Sequence, residues 1–370
     1  MSPAEVIIDL DALAYNLRLV KERCQGSPVL AMVKGDAYGH GLVECARALV
    51  AAGSERLGVA RMADAVSLRK AGVTVPVHVL APCTEDDVTR VVLSGAVVTV
   101  NSADVLSSLA AEARLRSSPA RVEIEVDSGL HRSGLPPDAA VKLGEVIGLL
   151  GPDVRLEGVY THFSSADCGD SRSVSAELEV LKWVIRRLGE SGVRPARVHA
   201  AGSAAAIYYP ETRLDLVRPG ICLYGYLGGE PFGKRVMTVY TRIVELRRIR
   251  PGERAGYGGT FRATRETTVA TVPVGYGDGL PRVASGAARA AVRGWLAPAV
   301  GEIFMHHTLF DVTEIPSASL GDPVTIIGGQ GDGALWASDW ANWAGTVTDE
   351  ILCRMGSGMP RRYVKATWNQ

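Results

Sequence analysis

The sequence predicts an α/β protein: a TIM-like (β/α)8 barrel followed by a smaller, mostly β C-terminal domain. Two observations carry this. From about residue 28 to 222, eight short apolar, β-branched runs alternate with amphipathic stretches, the pattern of parallel strands covered by helices. After about Phe232, strand-like runs succeed one another between glycines and prolines, and helical periodicity returns only near the end. A length of 370 residues suits two domains, at roughly 150 residues each.

The eight strand candidates are Pro28–Lys34, Arg56–Arg61, Pro76–Ala81, Ala96–Asn101, Arg121–Asp127, Leu156–His162, Arg197–Ala201 and Asp215–Ile221. Helical patterns separate most of them, among them Gly41–Ala52, Ala63–Ala71, Ala103–Ala113 and Ser175–Ser191. Eight units in so short a stretch favour a barrel over an open doubly wound sheet. The absence of Gly-x-Gly-x-x-Gly after the first strand also weakens a dinucleotide reading. The second domain offers the runs Met237–Leu246, Thr267–Pro273, Ala299–Phe310 and Pro323–Ile327, then helical periodicity at Trp336–Gly345 and Thr346–Arg354. The expected division is 1–231 and 232–370. The opening run Glu5–Asp9 is compatible with either domain, and Asp11 is the expected N-cap of the helix that follows.

Forty basic and forty acidic side chains leave a net charge of zero, which argues against a nucleic-acid or membrane-surface binder. Six scattered cysteines without a CxxC pair suggest reduced packing residues, with neither a disulfide frame nor a metal site. The N-terminus has no basic, apolar leader and no apolar run approaches ~20 residues, so a cytoplasmic enzyme is expected. Only seven of the forty basic residues are lysines, so a lysine closing an apolar strand stands out.

Barrel enzymes place reactive groups just past the C-terminal ends of their strands. That rule selects Lys34, Arg132, His162, Ser203 and Arg218. Lys34 closes the run Val29-Leu30-Ala31-Met32-Val33. A desolvated amine there is suited to Schiff-base chemistry, although a lysine snorkelling at a strand end has the same local sequence. Ser203 could equally be a small residue opening a helix, and Gly220 a turn glycine. Taken alone, His162 reads as a core histidine and Arg218 as a surface ion-pair residue.

The segment Val33-Lys34-Gly35-Asp36-Ala37-Tyr38-Gly39-His40-Gly41 resembles the signature of the alanine racemases, pyridoxal-phosphate (PLP) enzymes of fold type III, and the likeness runs essentially end to end. The resemblance implies a PLP-binding barrel, a β domain and a homodimer with shared sites acting on a small amino acid. It implies that Lys34 carries PLP as a Schiff base, and that Tyr38, Ser203, Gly220 and Ile221 hold the phosphate. Arg218 would face the pyridine nitrogen and, being always protonated, would not give that nitrogen a proton. Racemisation needs proton exchange on both faces of one carbon; Lys34 would serve one face and the partner subunit's Tyr257 the other, with His162 linking that tyrosine to Arg218. Arg132, Met305 and Tyr276 match substrate contacts of the family.

Several positions depart from the family pattern. Phe304-Met305-His306 stands where Cys-Met-Asp is usual, Ser357 near the position of a tyrosine, and Gly202 where asparagine is usual. Glu125 replaces a lysine that some members carbamylate; a native carboxylate could pair with Arg132 in the same way. Ser357 in place of a bulky phenol suggests a wider mouth, and the changes together suggest a substrate larger or more polar than alanine. A decarboxylase on the same fold would place a carboxylate where Arg218 stands, and a repurposed, inactive PLP-binding homologue is the other alternative.

Overall fold

The computed structural model describes residues 4–365. It divides into two units, one of Ala14–Ala37 and Leu42–Leu223, the other of 4–13, Tyr38–Gly41 and 224–365.

In the first unit seven parallel strands pair strictly in chain order: Leu30–Met32, Arg56–Val59, Val77–Pro82, Val97–Thr99, Ala120–Glu125, Val154–Tyr160 and Arg197–His199. An eighth stretch closes the ring. Leu216 bridges His199 and Val217 bridges Val29, both in parallel. Hydrogen bonds run from Leu30 N to Val217 O at 2.9 Å and from Arg218 N to Ala201 O at 2.8 Å. Leu30, Leu57, Val77, Val97, Val122, Val159 and Val217 are all fully buried, as expected of parallel strands covered on both faces. Helix Val88–Ser94 was not singled out from the sequence. Its three valines favour strand, but Gly95 at φ 61° closes it with a left-handed cap.

The second unit holds a six-stranded sheet with neighbours Trp295–Pro298, Arg289–Val292, Pro323–Ile327, Met237–Arg242, Ala4–Asp9 and Arg361–Val364. The opening strand therefore belongs here: Ala4–Asp9 runs antiparallel to Met237–Arg242 and parallel to Arg361–Val364. The following helix, Leu10–Arg23, is capped by Asp9, whose Oδ1 accepts from the N–H groups of Asp11 and Ala12 at 2.9 Å each. Asp11 thus sits in the first turn and is not the cap.

The run Met237–Leu246 proves to be parts of two strands. Met237–Arg242 pairs in the large sheet, whereas Glu245–Ile249 pairs with Thr267–Val272 in a three-stranded sheet completed by Thr308–Asp311. The chain changes sheets at Ile243, which donates to Asp322 O, and Val244, which donates to Thr271 O. Within 299–310 only the end is strand; Ala299 bridges Phe310 across a loop that carries Phe304, Met305 and His306.

Candidate active site

Lys34, Arg132, His162, Ser203, Arg218, Gly220 and Ile221 all lie in the barrel unit, and Tyr38, Tyr257, Tyr276 and Met305 in the other.

The first barrel strand ends at Met32, and past Lys34 the backbone turns left-handed: φ is 63°, 55°, 55° and 53° at Gly35, Asp36, Ala37 and Tyr38. Each L-residue held there costs roughly 1–2 kcal/mol. Strain retained beside a candidate nucleophile is expected where a fixed geometry serves function. Asp36 Oδ1 accepts from Leu42 N at 2.7 Å, tying the turn to the next helix.

Arg218 follows the eighth strand and is buried, 4% exposed. Its Nη1 lies 2.7 Å from His199 Nδ1; its Nη2 donates to Thr161 O at 2.7 Å and Ala200 O at 2.9 Å and lies 3.4 Å from His162 Nδ1. The Nε–H has no acceptor among the described residues. A basic group so enclosed stays a donor.

His162 is pushed down to about 3, first by burial and then by the positive charges of Arg218, Arg132 and Lys34. The imidazole is therefore neutral at physiological pH. Three of the other side chains selected by their places after strands, Arg218, Arg132 and Lys34, act on His162 as one electrostatic group. A Cβ at Gly202 would lie 3.3 Å from His162 Cε1, so the glycine leaves room for the ring.

Arg132 Nη2 donates to Glu125 Oε1 at 3.0 Å, and Ser133 Oγ donates to Glu125 Oε2 at 2.6 Å. Both carboxylate oxygens of Glu125 are thus engaged, and Arg132 is held by a native acid. Ser203 opens helix Ser203–Tyr208, and its Oγ accepts from Gly220 N at 2.9 Å and Cys222 N at 3.5 Å. With that lone pair used, its hydroxyl proton faces away from both. The first N–H groups of a helix have no intrahelical acceptor, and Ile221 N–H has none among the described residues. Hydroxyl and amide donors meeting at a barrel rim suit a phosphate.

In the second unit, Tyr257 opens the turn Tyr257–Gly259 and is 70% exposed. Its ring stands 4.9 Å from that of Phe304, tilted by 52°. The loops around Tyr276 and Met305 are locked by backbone: Tyr276 N donates to Phe304 O at 2.9 Å and Gly277 N to Met305 O at 2.7 Å. A Cβ at Gly275 would sit 2.1 Å from Phe304 O, so only glycine permits this approach. His306 Nδ1 lies 3.2 Å from Asp278 Oδ1 and from Asp278 Oδ2. Helix Thr348–Gly358 lies backbone to backbone on the same turn: a Cβ at Gly358 would meet Asp278 O at 2.4 Å and one at Gly279 would meet Arg354 O at 2.5 Å. Ser357 is exposed, and its Oγ donates to Arg354 O at 3.1 Å. Tyr38 is buried with its ring 4.9 Å from Tyr224.

Sequence reasoning did not single out His78, Glu123 and His199, all buried among barrel strands. Their signal was a lone polar residue inside each apolar run: Val77-His78-Val79, Val122-Glu123-Ile124 and Val198-His199.

A closed parallel barrel with a lysine and two arginines past its strand ends, followed by a β unit bearing two tyrosines on fixed turns, defines a two-part enzyme of the barrel class. Residues 8–228 match the family model for the alanine racemase N-terminal domain and residues 236–363 that for the alanine racemase C-terminal domain. The chain is 35% identical to alanine racemase 1 of Clostridium acetobutylicum, covering 98% of this chain and 96% of that protein. It is 38% identical to the alanine racemase of Syntrophobacter fumaroxidans, with 96% of each covered. Among solved structures, alanine racemase from D-cycloserine-producing Streptomyces lavendulae superposes with a TM-score of 0.93 at 32% identity, covering 99% of this chain and 98% of that one. The Bacillus anthracis alanine racemase with bound L-Ala-P gives a TM-score of 0.90 at 30% identity, covering 99% and 96%. The chain belongs to the alanine racemase family.

Proposed function

We propose that this chain is a PLP-dependent amino-acid racemase that interconverts L- and D-alanine, or a related and larger amino acid, as a homodimer. The observation that carries the reading is the Arg218–His162–Arg132–Lys34 group at the barrel rim, in a chain 35% identical to an alanine racemase over nearly its whole length.

The donor set fits the cofactor. Arg218 Nε–H would supply a donor for a pyridine nitrogen; the Ser203 hydroxyl, oriented by the Gly220 N–H, would hold the phosphate with the Ile221 N–H and Tyr38; Lys34 would supply the amine. When bound, PLP offers an aldehyde for an amine and an electron sink that acidifies the substrate Cα. A permanently protonated Arg218 leaves the ring nitrogen without an added proton, which weakens that sink and favours prompt return of the proton to Cα. The four carbonyl and imidazole partners around Arg218 hold it in place. Arg132, fixed by Glu125, is positioned to bind a carboxylate in a charge-assisted pair. Lys34 Nζ takes or returns the Cα proton on one face, and the partner subunit's Tyr257 on the other.

Tyr257 is 70% exposed in the single chain, and a second copy of the chain would cover it. Met305 and Tyr276, held by the Gly275 contact, would meet the substrate carboxylate and line its approach. Phe304, His306 and Ser357 support acceptance of a larger or more polar side chain. With Arg218 where a carboxylate would be needed, decarboxylation is disfavoured. The proposed setting is the cytoplasm; among the described residues no helix is long and apolar enough to cross a membrane.

A chiral assay over a panel of L-amino acids tests the reading. Formation of the D-enantiomer from alanine, or from a larger amino acid, supports it. No interconversion of any amino acid by PLP-loaded protein would overturn it.

A further inference from the structure

The barrel lumen contains a chain of buried polar groups that the proton exchange does not use. Arg218 Nη1 lies 2.7 Å from His199 Nδ1. His199 Nε2 and His78 Nδ1 each lie 3.1 Å from one oxygen, Glu123 Oε1, and Arg56 Nη1 lies 3.4 Å from His78 Nε2. Glu123, His78 and His199 are at most 1% exposed. Glu123 Oε2 has no partner among the described residues. The neighbouring strand makes room for the carboxylate with a glycine, since a Cβ at Gly158 would sit 2.6 Å from Glu123 Oε1.

Donor and acceptor roles follow from this order. Arginine only donates, so His199 Nδ1 is an acceptor and the ring proton sits on Nε2, facing Glu123. We propose that Glu123 is a positioning residue for the racemase reaction: through His199 it commits Arg218 Nη1 to the lumen and leaves the Nε–H as the donor for the PLP ring nitrogen. This rests on the proposed function for its consequence, though not for the network itself.

The electrostatics agree. Burial pushes His199 down to about 4, against the opposing pull of Glu123, so the relay ring is neutral. Burial raises the Glu123 carboxyl, but attraction to His78 and His199 and their hydrogen bonds outweigh it and hold it below the usual range. Glu123 is thus the buried negative charge that faces the buried Arg218 across a neutral ring. Glutamine there would remove the charge and could present an NH2 to His199. The ring would then be free to carry its proton on Nδ1, where it would oppose Arg218.

The test has two readouts. In protein freed of PLP and labelled with 15N at its seven histidines, long-range 1H–15N correlation reports the His199 tautomer. Nε2–H is expected in the unsubstituted protein, and Nδ1–H or a mixture in Glu123→Gln. In PLP-loaded protein, Glu123→Gln should lower kcat by about 10- to 100-fold, the scale that losing an orienting partner has at metal sites, with the KM for alanine within about twofold. The share of turnovers that convert alanine and PLP into pyruvate and pyridoxamine phosphate should rise at least tenfold, and Glu123→Asp should restore part of both. An Nδ1–H tautomer in the unsubstituted protein would overturn the proposal without any variant, should Glu123→Gln not fold. So would an unchanged tautomer and unchanged pyruvate yield in the variant. If the unsubstituted protein failed to racemise, the proposed function would fall while the tautomer still reported on the network.

Discussion

The barrel rim and the β unit's turns place their candidate groups by opposite means. At the rim, Arg218 is 4% exposed and is fixed by carbonyl and imidazole partners. In the β unit, Tyr257 is 70% and Met305 54% exposed, and the loops of Tyr276 and Met305 are set by backbone contacts that only glycine allows. In the first case side-chain chemistry holds the site, so a substitution disturbs the electrostatics of every neighbour. In the second the backbone holds it, and side chains can change without unsettling the loop. The departures from the family pattern follow this division. Phe304, His306 and Ser357 lie in the β unit. The two barrel departures are compensated: Glu125 is paired with Arg132, and Gly202 makes room for His162.

Substitutions that cross this division separate the two modes. Tyr257→Phe keeps the ring contact with Phe304 and removes only the hydroxyl. It should slow racemisation by about 10²–10⁴-fold, the usual cost of losing a positioned acid or base, with a normal melting profile. A chiral assay in both directions checks this, and unaltered rates would show that the phenol carries no proton. Gly275→Ala attacks the backbone mode instead. Its Cβ would fall 2.1 Å from Phe304 O, and overpacking of this kind costs about 1–3 kcal/mol. A lowered urea midpoint together with a raised KM is the expected result.

Acid should weaken the barrel through its buried rings. Burial, the first cause in each case, pushes His162 down to about 3 and His199 down to about 4, whereas in the unfolded chain both titrate near ~6.5. Between those values the unfolded chain binds more protons, so stability is full above ~6.5 and is lost progressively as pH falls through that window. Urea midpoints at stepped pH should decline from neutrality toward pH ~4; a flat profile would mean the rings are charged in the fold. The smallest effect belongs to His306→Asp, which should change the preference among amino-acid side chains by only a few-fold and leave the unfolding free energy from urea titration within ~0.5 kcal/mol, as expected of an exposed position. A competition assay between alanine and larger amino acids reads it.

All eight barrel strands were legible because strands covered on both faces leave continuous β-branched runs. The places of Lys34 and Arg218 just past strand ends were legible because the apolar runs that precede them mark those ends. The lumen trio was not: one polar residue in an apolar run looks the same whether it faces a helix, the lumen or water. The left-handed turn after Lys34 was hidden too, since Ala37 and Tyr38 have no intrinsic preference for positive φ. In the β unit, the change of sheets at Ile243–Val244 depends on Asp322 and Thr271, residues distant in sequence. Asp9 and Asp11 are equally good cap residues by type, and only the strand ending at Asp9 decides between them.

The central claim is that the Lys34 amine joins the cofactor and works at the substrate's Cα. Protein purified with PLP should show a visible absorption band that reduction with borohydride fixes covalently on Lys34. Lys34→Ala should lack the band and should not interconvert D- and L-alanine. A band of full strength in Lys34→Ala, or borohydride label found on another residue, would contradict the account.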